Sequence, residues 1–302
     1  MKRYEKFVLE AEKGITFEVS EGENGELIIK AKNKVSIYSE NYANPPILKG
    51  YEHVVGEWYN GFVIERKSDR SQFVWVPVGY LDSNGTLDGK TFNEKFGRRN
   101  YLNEGFSEGR YHESVEDDLE LQLESVKKYG GFYISRYNVS KNRITSKPQS
   151  LEGKYPWTNI NYDEAKKVAS TFEKREDITS HLTYGAEYDS ILEWIIKSGA
   201  KTHFEVEEDS TKWGNYWNAE NSLRKIAKTG SKNEWEANHI SDLAGNVDEI
   251  TQEKNRDTNC VTRGGFYDET GYKFPVANRW IWSIRSKDEY TGFRIALWIK
   301  WD

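Results

Sequence analysis

Cysteine and methionine are almost missing from this chain, since each occurs once in 302 residues. The single cysteine, Cys260, excludes an internal disulfide framework and leaves the redox compartment undetermined. We expect its thiol to be a small buried group at the start of a strand. No stretch approaches the roughly 20 apolar residues of a membrane-spanning helix, so we expect no membrane insertion. Charges interrupt every short apolar run near Met1, which predicts no signal peptide.

Positive charge is in the minority. The 43 Lys and Arg residues face 49 Asp and Glu residues, giving a net charge of −6. A chain without a dominant basic patch does not favour non-specific binding to nucleic acid, which we therefore do not expect as a partner. Aromatic residues, in contrast, make up 14% of the sequence. Together with the low proline content, they indicate a well-packed globule that contains β-structure.

The N-terminal forty residues alternate short apolar runs with turns. They predict strands over residues 15–19, 26–30 and 34–38. Pro45 and Pro46 then stiffen an extended segment, residues 43–47, which we interpret as a linker. We therefore predict a small β-rich attachment module in residues 1–44 and a larger domain in residues 45–302. A module of this length has little core of its own. It therefore either extends the main sheet or fixes the protein to a larger assembly.

The larger domain predicts the α+β class, because strand and helix patterns both occur in it. A hairpin is predicted from residues 57–64 and 72–77, a long loop over 79–114, a helix over 115–128 and a strand over 130–137. A second helix is predicted after the N-cap Asn161. A third is predicted from Thr183 as N-cap to Gly199. The apolar stripes of these two helices are Ala165, Val168, Ala169 and Phe172, and Tyr188, Ile191, Leu192 and Ile195.

Two short sequences near the C-terminus organise the chain: VTRGGFY at residues 261–267 and GFRIAL at residues 292–297. Gly264 and Gly265 permit backbone angles that other residues avoid, so a strand can end there and approach a neighbour closely. Between the two sequences, residues 266–291 mix aromatic side chains with charged and amide groups. This mixture suits a contact surface better than a core.

Seven motifs in the same order resemble the formylglycine-generating-enzyme (sulfatase-modifying-factor) superfamily. They are FVWVP at 73–77, GFYISR at 131–136, PWTN at 156–159, LTYGAEY at 182–188, SDLAGNVDEIT at 241–251, and the RGG and GFR of the C-terminal region. The resemblance implies a C-type-lectin-like fold. A WGNY segment at residues 213–216 is similar to the non-catalytic clostridial and phage-type branch. A shared fold does not decide function.

The resemblance also implies chemistry that this sequence does not carry. The oxidases of the superfamily use two cysteines after the RGG motif to hold copper, and soft thiolates are what Cu(I) requires. Here no cysteine follows Gly265, and Cys260 stands alone. The iron-dependent relatives need clustered histidines, whereas the five histidines here are scattered singly. We therefore expect no enzyme activity and no catalytic cofactor.

A structural calcium ion is a further implication of the resemblance. In the relatives, the loop that matches residues 242–249 binds calcium through its first and last side chains and through backbone carbonyls between them. Asp242 and Glu249 would supply hard oxygen ligands here, with the carbonyls of Gly245 and Val247. The alternative is a metal-free turn held by hydrogen bonds of the Asn246 side chain.

The aromatic C-terminal segment is the candidate ligand-binding face. Phage-type relatives use the corresponding stretch for binding, and Tyr and Trp combine a large apolar area with a polar group. The alternation in residues 280–285 implies that one face is buried, so some of these side chains, with Phe274 and Ile284, belong to the core. The predicted ligand-binding residues are Phe266, Tyr267, Asp268, Tyr272, Asn278, Trp280, Trp282, Arg285 and Tyr290.

These observations favour a binding protein of a bacteriophage or phage-tail-like particle, located in the virion and recognising a host-surface protein or glycan. The N-terminal module would contact other particle subunits. The sequence leaves open whether the protein forms a homo-oligomer. Two alternatives remain: a structural decoration or baseplate protein of the particle, and an enzyme of the same superfamily with an altered site.

Overall fold

The computed structural model describes residues 15–21, 27–33, 40–78, 80–81, 87–88, 112–113 and 117–300. Several antiparallel sheets and a few helices make up these residues, which confirms the predicted α+β class. Within the same ranges, no helix has the length and apolar character needed to cross a bilayer.

Strands are numbered in chain order. They are β1 (Ile15–Glu21), β2 (Leu27–Asn33), β3 (Tyr51–Val55), β4 (Val63–Arg66), β5 (Gln72–Pro77), β6 (Tyr80–Leu81), β7 (Leu87–Asp88), β8 (His112–Glu113), β9 (Gly131–Ser135), β10 (Ser140–Lys141), β11 (Pro148–Gln149), β12 (Ile178–Leu182), β13 (Glu236–Ala237), β14 (Ile240–Ser241), β15 (Asp248–Arg256), β16 (Asn259–Arg263), β17 (Trp280–Ser283), β18 (Thr291–Phe293) and β19 (Ile295–Ile299). The α-helices are α1 (Asp117–Tyr129), α2 (Tyr162–Ala169), α3 (Gly185–Lys197) and α4 (His203–Glu207). Short 3-10 helices occupy Glu40–Ala43, Thr211–Trp213 and Asn233–Trp235.

The main sheet has the strand order β12-β19-β9-β5-β4-β3 within the described part of the chain, and every neighbouring pair is antiparallel. Its central strands are apolar on both faces, as a sheet covered on both sides requires. In β5, Val74 and Val76 enter one hydrophobic core, whereas Phe73 and Trp75 enter another. Helix α3 contributes to the first core and helix α2 to the second. The sheet therefore separates two cores.

A smaller sheet has the order β17-β16-β15-β18, with β8 also paired to β15. Strand β18 runs parallel to β15 and ends at Phe293, and β19 of the main sheet starts at Ile295. Arg294 alone separates them. Its buried guanidinium donates to Glu249 at 2.7 Å and to the carbonyl oxygens of Ser135 and Arg136, each at 3.0 Å. The GFR motif therefore joins the two sheets.

The N-terminal prediction is confirmed for its first two strands, since β1 and β2 form an antiparallel pair. The strand predicted over 34–38 lies outside the described residues. The predicted linker and the residue before it pack on the larger part: the Tyr133 hydroxyl donates to the Pro46 carbonyl at 3.0 Å, and the Trp75 indole donates to the Tyr42 carbonyl at 3.1 Å. The division into two domains stays a prediction.

Helices and buried positions follow the sequence patterns closely. The first helix is displaced by two residues at its start and one at its end, as α1 covers Asp117–Tyr129. Asn161 caps α2 in a capping box with Glu164, as predicted. The predicted stripe of α3 is confirmed, with all four side chains buried, and Gly199 follows its end at a positive φ of 76°. Cys260 is buried as the second residue of β16.

Three local predictions were wrong. Residues 57–62 form a turn and a short connection, so the predicted first strand of the hairpin is represented only by β4, and β3 precedes that turn. Thr183 does not cap α3: its hydroxyl donates to the Arg294 carbonyl at 3.2 Å, and the helix starts at Gly185. Phe172 lies beyond the end of α2 but is buried. Most of the loop predicted over 79–114, and Val115, lie outside the described residues.

Candidate functional site

The candidate site begins where β16 ends. After Arg263 the chain leaves the sheet through Gly264 and Gly265, both with positive φ, 99° and 72°. A Cβ on Gly264 would lie 2.8 Å from the Leu243 carbonyl oxygen, and one on Gly265 would lie 2.7 Å from that of Phe274. Only glycine fits at such positions without a shift of the backbone. The predicted close approach at this glycine pair is confirmed.

A buried group of four charged side chains lies at the base of the segment that follows. Arg263 contacts Asp189 at 2.9 Å and Glu253 at 3.7 Å, and Arg279 contacts Glu253 at 3.0 Å as well as Asp189. The Arg263 side chain also donates to the Ala277 carbonyl at 3.2 Å. Two cations therefore balance two anions, which is what a buried charge requires. These contacts fix residues 277–279 against α3 and β15.

Five aromatic rings of the same segment form a continuous row. The ring centroids of Trp280 and Phe274 lie 5.2 Å apart, those of Phe274 and Phe266 6.4 Å, those of Phe266 and Tyr290 4.9 Å, and those of Tyr290 and Tyr267 5.4 Å. Such separations are typical of interacting aromatic pairs. We call these five residues the aromatic surface. Phe274 is its buried member, and Trp280 is 46% exposed.

Charges of both signs border the aromatic surface. Partial burial, together with the charges of Glu289 and Asp268 nearby, raises the pKa of the Tyr267 hydroxyl to about 12. Tyr290 is close to the same acidic residues, and its pKa is also raised. The Lys273 ammonium lies 5.1 Å from the ring centroid of Phe274. Mixed charges of this kind favour a ligand without a strong net charge.

The nine predicted ligand-binding side chains are half-buried or exposed in the structure. Phe266, Tyr267, Trp280 and Tyr290 are joined by the ring contacts above, and Tyr272 is 62% exposed. Trp282 differs, because it is half-buried and packs on the second core. Strand β17, which carries both tryptophans, pairs with β16 at the edge of the smaller sheet within the described residues. The remaining three, Asp268, Asn278 and Arg285, make no ring contact.

The loop at residues 242–249 is held in an unusual backbone conformation. Asp242, Gly245 and Asn246 have positive φ of 57°, 69° and 64°. The Asn246 side-chain oxygen accepts hydrogen bonds from the Ala227 backbone N–H at 2.8 Å and from the Asn215 side chain at 3.2 Å. The hydrogen bonds expected of a metal-free turn are therefore present.

Two carboxylates at the ends of this loop keep one oxygen each without a partner. Asp242 Oδ2 accepts from the Gly230 backbone N–H at 2.8 Å, and Glu249 Oε1 accepts from Arg294 and from Asn138, each at 2.7 Å. The second oxygens, Asp242 Oδ1 and Glu249 Oε2, are buried and lack any hydrogen-bond partner among the described residues. An orphaned buried oxygen is costly unless something binds it.

Both carboxyls have raised pKa values, because burial disfavours their charged forms. Burial raises the pKa of Asp242 to about 6. Burial also raises that of Glu249 to about 7, against the opposing effect of Arg294, and the charge of Asp242 adds to the rise. Two nearby anions with free oxygens fit a hard cation such as calcium. Among the described residues, no group of three or more His, Cys, Asp or Glu side chains could hold a metal. A calcium ion would therefore depend on two carboxylates and on backbone carbonyls such as those of Gly245 and Val247.

The residues with a possible redox or metal role lie apart from one another. Burial raises the pKa of the Cys260 thiol to about 12, which disfavours the thiolate. His53 stacks on Phe62, His181 contacts Glu187 at 2.8 Å, and His203 contacts Glu207 at 2.7 Å. His239 contacts Glu236, and the side chain of His112 is not described.

Sequence reasoning missed a second concave region. A cleft of about 1080 Å³ lies beside the β10–β11 hairpin and is lined by several lysines and arginines. The available signal was the spacing of Lys141, Arg143, Lys147 and Lys154, four cations in a short segment of an acidic protein.

No protein-family model matches the sequence, and no curated protein matches it. Among solved structures, the chain is similar to PvdO from Pseudomonas aeruginosa, with 17% identity, 78% of this chain and 97% of that chain covered, and a TM-score of 0.48. It is similar to CarF as well, with 15% identity, 56% of this chain and 87% of that chain covered, and a TM-score of 0.40. It is also similar to Treponema denticola variable protein 1, with 15% identity, 74% of this chain and 84% of that chain covered, and a TM-score of 0.31. Likenesses of this size carry no conclusion about function.

Proposed function

We propose that this chain is a non-catalytic binding protein that recognises its ligand through the aromatic surface. The observation that carries the proposal is the continuous row of five rings, which starts at the exposed Trp280 and continues through rings that pack on one another. Arg279, which precedes Trp280, is held by ion pairs with Asp189 and Glu253. Aromatic side chains that packing already holds lose little conformational freedom when they bind. A surface of this kind therefore suits recognition.

The ligand class follows from the charges. Because Asp268 and Glu289 lie near Tyr267 and Lys273 lies over Phe274, a neutral glycan or an uncharged protein segment fits better than a strongly charged ligand. Tyrosine and tryptophan serve both, since they stack on sugars and anchor protein contacts. The proposed ligand is a protein or glycan on a host cell surface. Its presentation by a phage or phage-tail-like particle is supported by the resemblance in the sequence motifs alone.

We further propose a structural calcium ion at the loop of residues 242–249. The two orphaned oxygens, Asp242 Oδ1 and Glu249 Oε2, support it. Calcium would neutralise these carboxylates and hold the loop that precedes β15. It would have no part in a reaction.

Binding to intact cells tests the main proposal. The labelled protein is applied to a panel of bacterial species, and Tyr267→Ala and Trp280→Ala are compared with the wild type on the species that bind. We expect each substitution to cost about 2 kcal/mol or more of binding free energy, roughly a 30-fold loss of affinity, because Trp280 is the exposed member of the aromatic surface and Tyr267 is a half-buried one. Trp282 is a poorer choice, since its removal would also affect the second core.

Tyr59→Ala is the matched control. Tyr59 is 52% exposed in the turn between β3 and β4, away from the C-terminal segment in sequence. The Tyr59→Ala variant should bind cells with the affinity of the wild type. All three variants should have melting temperatures close to that of the wild type. Equal binding by Trp280→Ala and the wild type would favour a structural particle protein. Stoichiometric copper or iron, with oxidation of a thiol peptide by dioxygen, would favour the altered enzyme.

A further inference from the structure

The cleft beside the β10–β11 hairpin is separate from the site proposed above. Its walls are the turn after β4, the loop that joins β10 to β11, the segment around Tyr155, and the residues that follow α2. None of its lining residues belongs to the aromatic surface or to the loop at 242–249. A smaller concavity of about 540 Å³ adjoins it and shares Lys141, Asn142, Arg143 and Tyr155. Together they form one continuous depression.

The lining of this cleft is strongly basic, although the protein carries a net charge of −6. The cationic lining residues are Arg66, Lys141, Arg143, Lys147, Lys154 and Lys228. Asp69 is the acidic lining residue. It is bound to Arg66, with Arg66 Nε 2.8 Å from Asp69 Oδ1, so these two charges cancel.

Five cations remain uncompensated. Within the described residues, no ion pair involves Lys141, Arg143, Lys147, Lys154 or Lys228. All five side chains are exposed. Like charges gathered in one concave region repel one another, and an anion bound among them would relieve that repulsion. The charge pattern therefore indicates an anionic ligand.

The loop that carries two of these cations is rigid. Asn142 Oδ1 accepts hydrogen bonds from the backbone N–H groups of Ile144 and Thr145, each at 2.9 Å. The backbone N–H of Asn142 donates to the Lys147 carbonyl, and that of Ser146 donates to the Asn142 carbonyl, both at 2.9 Å. The backbone at Arg143 and Lys147 is thus fixed before a ligand arrives, which reduces the backbone entropy lost on binding.

Aromatic rings accompany the cations. The Lys141 ammonium lies 4.8 Å from the Trp157 ring centroid, and the Lys228 ammonium lies 5.7 Å from that of Tyr155. Both rings line the smaller concavity, and Tyr155 is 50% exposed. A ring next to an ammonium offers a stacking face and a charge partner together, which suits a sugar that bears an acidic group.

We propose that this cleft binds an acidic polysaccharide that carries one carboxylate or phosphate group per sugar repeat. The lysines neutralise the acidic groups as point charges, and Tyr155 and Trp157 contact the sugar rings. The site is separate from the aromatic surface, with which it shares no lining residue. The protein would then bind two chemically different ligands, one at the aromatic surface and one in the cleft.

A nucleic acid fits these observations less well. Duplex DNA carries about one negative charge per 1.7 Å, so it would continue past the cleft with high charge density onto a surface that is acidic on balance. An acidic polysaccharide spaces its charges more widely, so five cations suffice for a short stretch. Lysines, which predominate here, also lack the bidentate geometry that reads base edges.

Fluorescence polarisation tests the proposal with defined probes. Labelled oligogalacturonate supplies one carboxylate per sugar, and a labelled oligomer of glycosylated glycerol phosphate supplies phosphate. We expect the full-length protein to bind at least one of them, and binding to weaken as ionic strength rises, because screening acts on exposed charges. The probe that binds more tightly identifies the acidic group.

Charge reversal locates the binding site. Arg143→Glu combined with Lys154→Glu should weaken the bound probe at least about tenfold, since the ligand would then meet two repelling charges. Lys212→Glu combined with Arg256→Glu changes the net charge equally and alters exposed residues outside the cleft. That control should stay within about twofold of the wild type, because exposed charges beyond a Debye length act weakly. Tyr155→Ala should also weaken binding, and Trp280→Ala should leave it unchanged.

Several outcomes would overturn the proposal. They are equal loss in the control variant, loss in Trp280→Ala, equal binding of a neutral maltooligosaccharide, and no binding of either acidic probe at low ionic strength. Tighter binding of oligodeoxythymidylate than of both acidic probes would replace the glycan with a nucleic acid. Each of these results leaves the cell-binding test of Trp280 unaffected, so the two proposals fail independently.

Discussion

Arg294 illustrates how much of this fold depends on one side chain. It is fully buried, it donates to Glu249, and it also donates to main-chain carbonyls at Ser135, Arg136 and Ser241. These acceptors lie on or beside β15, β9 and β14. Lysine has neither the planar fork nor enough donors to satisfy all of them. The arginine of the GFR motif is therefore a structural requirement of the junction between the two sheets.

Replacement of Arg294 by Ala should destabilise the protein by about 3–5 kcal/mol, because it leaves Glu249 as a buried charge without its cationic partner. Arg294→Lys should recover only part of this loss. Arg285→Ala, at an exposed position, should change stability by no more than about 0.5 kcal/mol. Urea unfolding measures all three. A loss below about 1 kcal/mol for Arg294→Ala would show that water replaces the guanidinium without difficulty.

The loop carboxyls predict a pH dependence with a definite sign. The folded pKa values of Asp242, about 6, and Glu249, about 7, lie above the ordinary values of 3.8 and 4.5. The folded state therefore holds these protons more tightly than the unfolded state does. Their contribution to stability is complete below the ordinary pKa values and is lost as pH rises through about 6 to 7. Asp248, whose pKa burial raises to about 7, acts in the same direction.

Calcium should restore at alkaline pH what deprotonation removes. We expect millimolar calcium to raise the melting temperature near pH 8 and to have little effect near pH 5, where protons occupy the carboxyls. Asp242→Asn should abolish the calcium effect, and Asp248→Asn should not. Differential scanning calorimetry with calcium, magnesium or a chelator provides the measurement. Identical melting curves with and without calcium near pH 8 would rule out the ion at this loop.

Among the helices and strands, the sequence predicted correctly those features that depend on contacts between residues close in the chain. The capping box of α2 is an example: Asn161 Oδ1 accepts from the Glu164 N–H at 2.9 Å, and the Asn161 N–H donates to the Glu164 carboxylate at 3.2 Å. Both partners are three residues apart, so the sequence contains the interaction. The same holds for the glycine pair that ends β16 and for the stripe of α3.

Tertiary contacts account for the errors. Thr183 has the side chain of an N-cap, but Arg294, 111 residues away, engages its hydroxyl through a carbonyl oxygen. The sequence offers no sign of that partner. The basic cleft was missed in part for the same reason: four of its cations are close in sequence, but Arg66 and Lys228 join them only after the chain has folded. The aromatic segment was found because its residues are close in sequence, although the half-buried state of Trp282 depends on packing against the second core.

Removal of the α2 cap gives a test at this scale. Asn161→Ala should lower the free energy of unfolding by about 1 kcal/mol, since a helix N–H loses its acceptor. Lys167→Ala, at an exposed position of the same helix, should change it by less than about 0.5 kcal/mol. Urea unfolding compares the two variants. Equal losses would mean that the cap contributes nothing beyond helix propensity.

For the whole molecule, the distribution of charge is more informative than its sum. A net charge of −6 argued against non-specific binding to nucleic acid. The same protein concentrates in one cleft five cations that form no ion pair with the residues that the structure describes. Composition reports only the average, so it could exclude a generally basic surface but could not exclude a local one.

The proposed division of the chain predicts an experiment on the intact fold. A chain that starts at residue 40 keeps Tyr42 and Pro46, which contact Trp75 and Tyr133. We expect it to melt within a few degrees of the full chain and to keep both binding activities, because β1 and β2 pair with each other. Calorimetry and the two binding assays check this. A large drop in melting temperature would show that the N-terminal strands extend the core instead of attaching the protein to a partner.

The position of β19 has a consequence for biosynthesis. This strand, residues 295–299, lies between β12 and β9, which are made much earlier. While a ribosome is still translating the preceding residues, those two strands have no neighbour on the sides where β19 will insert, and their edges are open to wrong partners. The nascent chain therefore cannot complete its main sheet before β19 has been made, and we expect it to depend on chaperone protection until β19 emerges from the exit tunnel.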